Sequence, residues 1–136
     1  MIWETNMKVF IAYDMNGENQ EELLNNLEII SDALHAAGVE SYSTHLQQDD
    51  APSGKTMKNA FEMIDASDAV LVFVQSADIS EAMVLEIGYS YDRKPIHVFT
   101  RQGVQLSSFE LANDVTEWTD IEQLTESVKQ RFDSQA

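Results

Sequence analysis

Apolar residues recur along this chain in two alternating rhythms. KVFIAY (8–13) is a short apolar run ending on polar residues, the pattern of a buried strand. In the stretch that follows, ENQEELLNNLEIISDALHAAG, Leu23, Leu27, Ile30 and Leu34 recur at three- or four-residue steps and line one face of a helix. Acids crowd its first turn and Gly38 closes it, as the helix dipole and the C-terminal cap favour. VESYSTH (39–45) reads as a second strand, and QQDDAPSG as the main loop. KTMKNAFEMIDAS then sets Met57, Phe61 and Ile64 on one helical face. AVLVFVQ (69–75) is the most apolar strand and suits a central position covered on both sides.

SADIS (76–80) turns the chain into a helix through EAMVLEIGYSYD that stops before Pro95. Asp78 with Glu81, or Ser80 alone, suits its N-cap. PIHVFT (95–100) is a fourth strand. RQGVQLSSFELAND is a loop with length enough for a short helix, and VTEW (115–118) is a weak fifth strand. The last helix, DIEQLTESVKQRF, carries Ile121, Leu124, Val128 and Phe132 on its apolar face.

Five strands alternating with helices predict an α/β fold: a doubly wound, five-stranded parallel sheet, flavodoxin- or Rossmann-like, in the order 2-1-3-4-5 with helices on both faces. The length of 136 residues suits a single domain over 1–136. In such a sheet ligands bind beyond the carboxyl ends of the strands, where the strand order reverses. That point lies between strands one and three, beside AYDMNGEN (12–19) and QSADIS (75–80).

Charge narrows the partners. Eight Lys and Arg oppose 24 Asp and Glu, a net charge of −16 that repels DNA, RNA and anionic lipid. Nucleic-acid polymers and membranes are therefore not expected partners. The chain has no cysteine, which removes disulfides and thiolate metal sites, and His35, His45 and His97 show no metal-ligand spacing. No metal or cofactor is expected. MIWETNMKVF lacks the apolar stretch and basic lead-in of a signal peptide, and a cytoplasmic location is expected.

One carboxylate stands out. In AMVLEIGY (82–89), Glu86 is the single charge, and its neighbours at three- and four-residue spacing are Ala82, Met83, Tyr89 and Ser90. Its bland alternative is a solvated glutamate reaching Arg93. Met83, which also suits the core, is kept among the substrate-side candidates. Tyr13 and Asp14 end strand one, and Asp78 and Ser80 end strand three, all beside the same crevice. A carboxylate among a tyrosine, a serine and other acids can attack or stabilise an electron-poor carbon such as a glycosidic C1. Asp14 is equally compatible with a turn residue, and Ser80 with a helix cap. GKT (54–56) lacks the glycine of a phosphate loop, and no GxSxG elbow occurs.

The segment IDASDAVLVFVQSADISEAMVLEIGYSYDRKPIHVF (64–99) resembles the nucleoside 2-deoxyribosyltransferases and the related deoxynucleoside 5′-monophosphate N-glycosidases. The similarity extends from KVFIAY to about NDVTEW. The resemblance implies that Glu86 is a nucleophile that attacks C1′ and forms a glycosyl-enzyme, resolved by another base or by water. It implies a phosphate-binding role for Ser80 and for Ser107 in VQLSSFE, the latter reaching a neighbouring subunit. It also implies that Asn113 or Asp114 completes the neighbour's site, and hence a homodimer or higher homo-oligomer acting on a nucleoside or nucleotide. Three departures stand against it. Ala60 occupies the place of an aspartate, AYDMNGEN replaces a glycine-rich turn, and Ala82 and Val84 replace glycines.

The opening VFIAYDMNGENQEELLNNLEIISDALHAAGVES also resembles a TIR domain, although the usual S-x-W-C-x-x-E stretch is absent. Two alternatives thus stand beside the transferase expectation. One is a nonenzymatic nucleotide-binding or signalling module on the same scaffold, and the other is a TIR-like NAD glycohydrolase.

Overall fold

A computed structural model describes residues 7–13, 20–43 and 53–133. Along them run β1 (Met7–Ala12), α1 (Gln20–Ala36), β2 (Val39–Tyr42), α2 (Ser53–Asp65), β3 (Ala69–Val74), α3 (Glu81–Ser90), β4 (Ile96–Arg101), a 3-10 turn (Ser107–Leu111), β5 (Asp114–Trp118) and α4 (Ile121–Phe132). The strands form one parallel sheet in the order β2-β1-β3-β4-β5. This is the doubly wound order that the sequence predicts.

Side-chain alternation splits the core in two. Val9, Ile11, Leu71, Phe73 and Phe99 face α1 and α4, where Leu23, Leu27, Ile30, Leu34, Leu124, Val128 and Phe132 meet them. Phe10, Val70, Val72, Val74, Ile96 and Val98 face α2 and α3, against Ala60, Ile64, Met83 and Ile87. Every residue of β3 is buried, because helices cover the sheet centre on both faces.

Local chemistry explains the element ends. Gly38, at φ 83°, adopts the left-handed turn that closes α1, and its N–H donates to the His35 carbonyl at 2.9 Å. The helix after β3 ends at Ser90, short of the Asp92 expected from sequence. Asp92 takes φ 69°, and the Ser90 carbonyl accepts from the N–H groups of Arg93 and Lys94, so the chain turns off before the apolar rhythm runs out. Lys94 Nζ donates to the carbonyls of Asp65 (3.1 Å) and Ser67 (2.7 Å), a cation at the C-terminal end of α2. The second strand stops at Tyr42 within the described residues. The fifth begins one residue early, at Asp114.

Candidate functional site

α3 leaves the carboxyl end of the central strand β3 and runs back along the sheet. Ser80 is its N-cap, its Oγ accepting from the Met83 N–H at 3.2 Å. That bond makes Ser80 a structural cap, one of the roles open to it from sequence. Asp78 is exposed in the turn before it, its N–H donating to Ser76 Oγ at 3.2 Å.

Glu86 lies six residues past the cap, about 9 Å along the axis. It shares the inner face of α3 with Met83, Ile87 and Ser90 and is only 7% exposed. The solvated glutamate paired with Arg93 is thereby overturned. Arg93 instead donates from a guanidinium nitrogen to the Tyr89 carbonyl at 2.6 Å and lies over the Tyr89 ring at 4.4 Å. Ser90 Oγ donates to the Glu86 carbonyl at 2.7 Å, tying the helix turn behind the carboxylate. Met83 is fully buried among Phe10, Val72 and Ile87 and is a core side chain.

Tyr13 follows β1 and packs, half-buried, against the core on the α1 side. β1 and β3 are neighbours, so Tyr13 and the residues after β3 end at the same edge, where the strand order reverses. Asp14 lies outside the described residues. Two polar residues missed from sequence meet at this edge. Asn26, 2% exposed on α1, donates from Nδ2 to Gln75 Oε1 at 2.7 Å, just beyond β3. A signal existed: in LLNNLEII, Asn26 falls three residues after Leu23 and four before Ile30, on the apolar face. Gln75, 49 residues away, gave none.

Ser107 opens the 3-10 turn after β4, at the same carboxyl edge, and this turn packs against α3. It lines a groove of about 520 Å³ with Thr100, Leu106, Phe109, Glu110, Val115 and Glu117. Asn113 is placed elsewhere. It precedes β5, so it sits at the amino edge, where its N–H donates to the Ile96 carbonyl and its Oδ1 accepts from the Ile96 N–H, both at 2.8 Å. Within one chain it therefore ties the start of β5 to β4. Ala60, the position given to an aspartate by resemblance, is fully buried beside Phe10 and Ile64.

At the amino edge, Asp114 binds His97 Nδ1 at 2.9 Å and the Arg131 guanidinium, and His97 meets the Phe132 ring edge-on. On the outer side of α2 and α3, the Tyr89 hydroxyl donates to both Asp65 oxygens (3.0 and 2.8 Å), and its ring stacks on Phe61 at 4.2 Å. The bond to Asp65 raises the Tyr89 pKa above its ordinary value, since it favours the protonated phenol. Among the described residues no group of three or more His, Asp or Glu is placed to hold a metal ion, and no helix is long and apolar enough to cross a membrane.

No family model and no curated protein matches the chain by sequence. Solved structures do match its fold. The 2-deoxyribosyltransferase of Bacillus psychrosaccharolyticus superposes with TM-score 0.68 at 18% identity, over 87% of this chain and 90% of that one. The CMP N-glycosidase BcmB of Clostridium botulinum gives TM-score 0.68 at 16% identity, over 90% and 98%. The SEFIR domain of the IL-17 receptor B gives 0.59 at 11% identity, over 91% and 95%. At these identities the likeness is one of fold. With the strand order and the helix that leaves the central strand, it gives this chain a nucleoside 2-deoxyribosyltransferase-like fold.

Proposed function

We propose that this protein cleaves the N-glycosidic bond of a nucleoside or nucleotide, with Glu86 as nucleophile. The observation that carries the reading is the burial of Glu86 on the inner face of α3, the helix that leaves β3 beside the reversal of strand order. A carboxylate is costly to bury, and an α/β sheet binds ligands at that edge. Two structures of this fold, described as a 2-deoxyribosyltransferase and a CMP N-glycosidase, support the same chemistry.

The step is a double displacement. A Glu86 carboxylate oxygen bonds to C1′ as the C1′–N bond breaks, and its electron pair leaves with the base, which takes a proton. Water or a second base then bonds to C1′ and releases the carboxylate, so configuration is retained. Tyr13 and Asp14 position the carboxylate or the sugar, while Asp78 and Ser107 stand on the substrate side. Incubation with deoxynucleosides and a free acceptor base tests this. Free base or an exchanged nucleoside is expected, and loss of both in Glu86→Gln.

The homo-oligomer is supported by α3's outer face. Ala82, Val84, Leu85 and Gly88 are exposed there without a charge, Tyr91 follows, and Val115 is exposed on β5. In a chain of net charge −16, an apolar stretch between the charges at the two ends of α3 is where a second copy meets least repulsion.

The buried Ala60 favours the second reading, a nonenzymatic nucleotide-binding module, because an acid that could assist the leaving base is absent there. Saturable binding with no bond cleavage distinguishes it.

A further inference from the structure

An amide is buried where α1 meets the end of the central strand. Asn26 is 2% exposed, and its side chain donates from Nδ2 to Gln75 Oε1 at 2.7 Å. Its helix neighbours at three and four residues, Leu23 and Ile30, lie in the apolar core. A buried amide costs free energy unless it is bonded, and an apolar pair of the same shape fills such a place at little or no loss. Packing alone therefore does not call for this pair.

Gln75 is the first residue past β3 and stands half-buried at the carboxyl edge. Strand alternation puts it on the α1 side with Leu71 and Phe73, whereas α3 covers the other side of the sheet. Tyr13, at the end of the neighbouring β1, packs on the α1 side too. β1 and β3 meet where the strand order reverses, so the crevice of the fold opens there between α1 and α3. Asn26 occupies the carbonyl oxygen of Gln75. The amide nitrogen Nε2 makes no hydrogen bond to the described residues, so the donor end is the one left for a ligand.

We infer that Gln75 is a catalytic donor to the departing base and that Asn26 is the positioning residue that aims it. This rests on the N-glycosidic reading, in which Glu86 attacks C1′ from the α3 side. Attack and departure lie in line across C1′, so the base leaves toward the α1 side, where Gln75 stands. As the C1′–N bond breaks, its electron pair passes to the base and spreads over its carbonyl oxygens and ring nitrogens until water supplies a proton. An N–H aimed at one of those acceptors is worth more in this transition state than in the ground state. Ala60, buried in apolar packing, supplies no acid for the same task. The departing group is thus a heterocyclic base that carries a carbonyl or ring-nitrogen acceptor.

The test follows base release by the full chain from 2′-deoxyuridines and 2′-deoxyinosines whose ring substituents grade how readily the base leaves. Gln75→Glu keeps the shape and the bond from Asn26 but turns an acceptor outward. It is expected to lower kcat/KM about a hundredfold and to steepen the dependence on leaving-base basicity. Asn26→Asp accepts where Asn26 donates, so the Gln75 amide turns round and presents its oxygen, while α1 stays bonded to the end of β3. It is expected to lower kcat/KM at least about tenfold with the same steepening. A pair that only clasps α1 to β3 leaves that slope unchanged. Parent-like kcat/KM or an unchanged slope in Gln75→Glu, with the parent active, overturns the inference alone. If Asn26→Asp does not fold by circular dichroism, Gln75→Glu, at a half-buried position, still decides. If the parent turns over no nucleoside, the N-glycosidic reading fails, and calorimetric titration with uracil and hypoxanthine decides whether Gln75 meets a base. Binding weakened about tenfold in Gln75→Glu supports the contact. Binding absent from the parent, or equal in both proteins, overturns it.

Discussion

Ser80 Oγ accepts the Met83 N–H at 3.2 Å, and this bond fixes where the helix carrying Glu86 begins. Ser80→Ala is expected to lower stability by about 1 kcal/mol in urea unfolding, and Ser80→Asp to restore it, since both oxygens can cap. If Ser80→Asp restores stability while kcat/KM stays depressed, the hydroxyl also meets the substrate.

Ala60 is fully buried among Phe10, Ile64 and Val70 on the α2/α3 side. Reinstating an acid there does not rebuild a site. Ala60→Asp places a carboxylate in packed apolar surroundings and is expected to cost about 3–5 kcal/mol. Thermal unfolding with circular dichroism reads this, and a variant as stable as the parent contradicts the packing described.

The Tyr89–Asp65 pair ties α3 to the end of α2. Because the hydrogen bond to Asp65 raises the folded-state pKa of Tyr89, its contribution is fully present below the unfolded phenol value near pH 10 and is lost as pH rises through the folded value. Tyr89→Phe removes this contribution at neutral pH and flattens the alkaline fall in stability. Melting temperatures of both proteins from pH 8 to about 11.5 test it, and parallel alkaline limbs contradict it.

Leu85 is 46% exposed on the outer face of α3, beside Val84 and Gly88. Leu85→Glu puts a like charge into the contact expected between two copies and is expected to weaken self-association at least about tenfold. Sedimentation equilibrium over a concentration series reads the mass. A monomeric parent, or an oligomer indifferent to the substitution, contradicts that contact.

What the sequence reveals depends on how local the cause is. AVLVFVQ shows its central place because a strand covered on both faces needs every side chain apolar, and all of β3 is buried. Glu86 stands out because its neighbours are greasy, and its burial follows from the face it shares with Met83 and Ile87. The end of α3 is hidden because a left-handed Asp92 breaks no apolar rhythm. Gln75 is hidden because its partner Asn26 is supplied by tertiary packing. The place of Asn113 is hidden as well. The backbone settles it within one chain, since the residue that precedes β5 lies at the amino end of the sheet, where Asn113 bonds Ile96.

The central claim is that Glu86 forms a bond to a sugar C1′. Intact-protein and peptide mass spectrometry of the chain, acid-quenched during incubation with a 2′-deoxynucleoside, tests it most directly. The account predicts a mass increase of one deoxyribosyl group, mapped to the peptide containing Glu86 and absent in Glu86→Gln. Base release that persists in Glu86→Gln, or an adduct mapped to another residue, contradicts it.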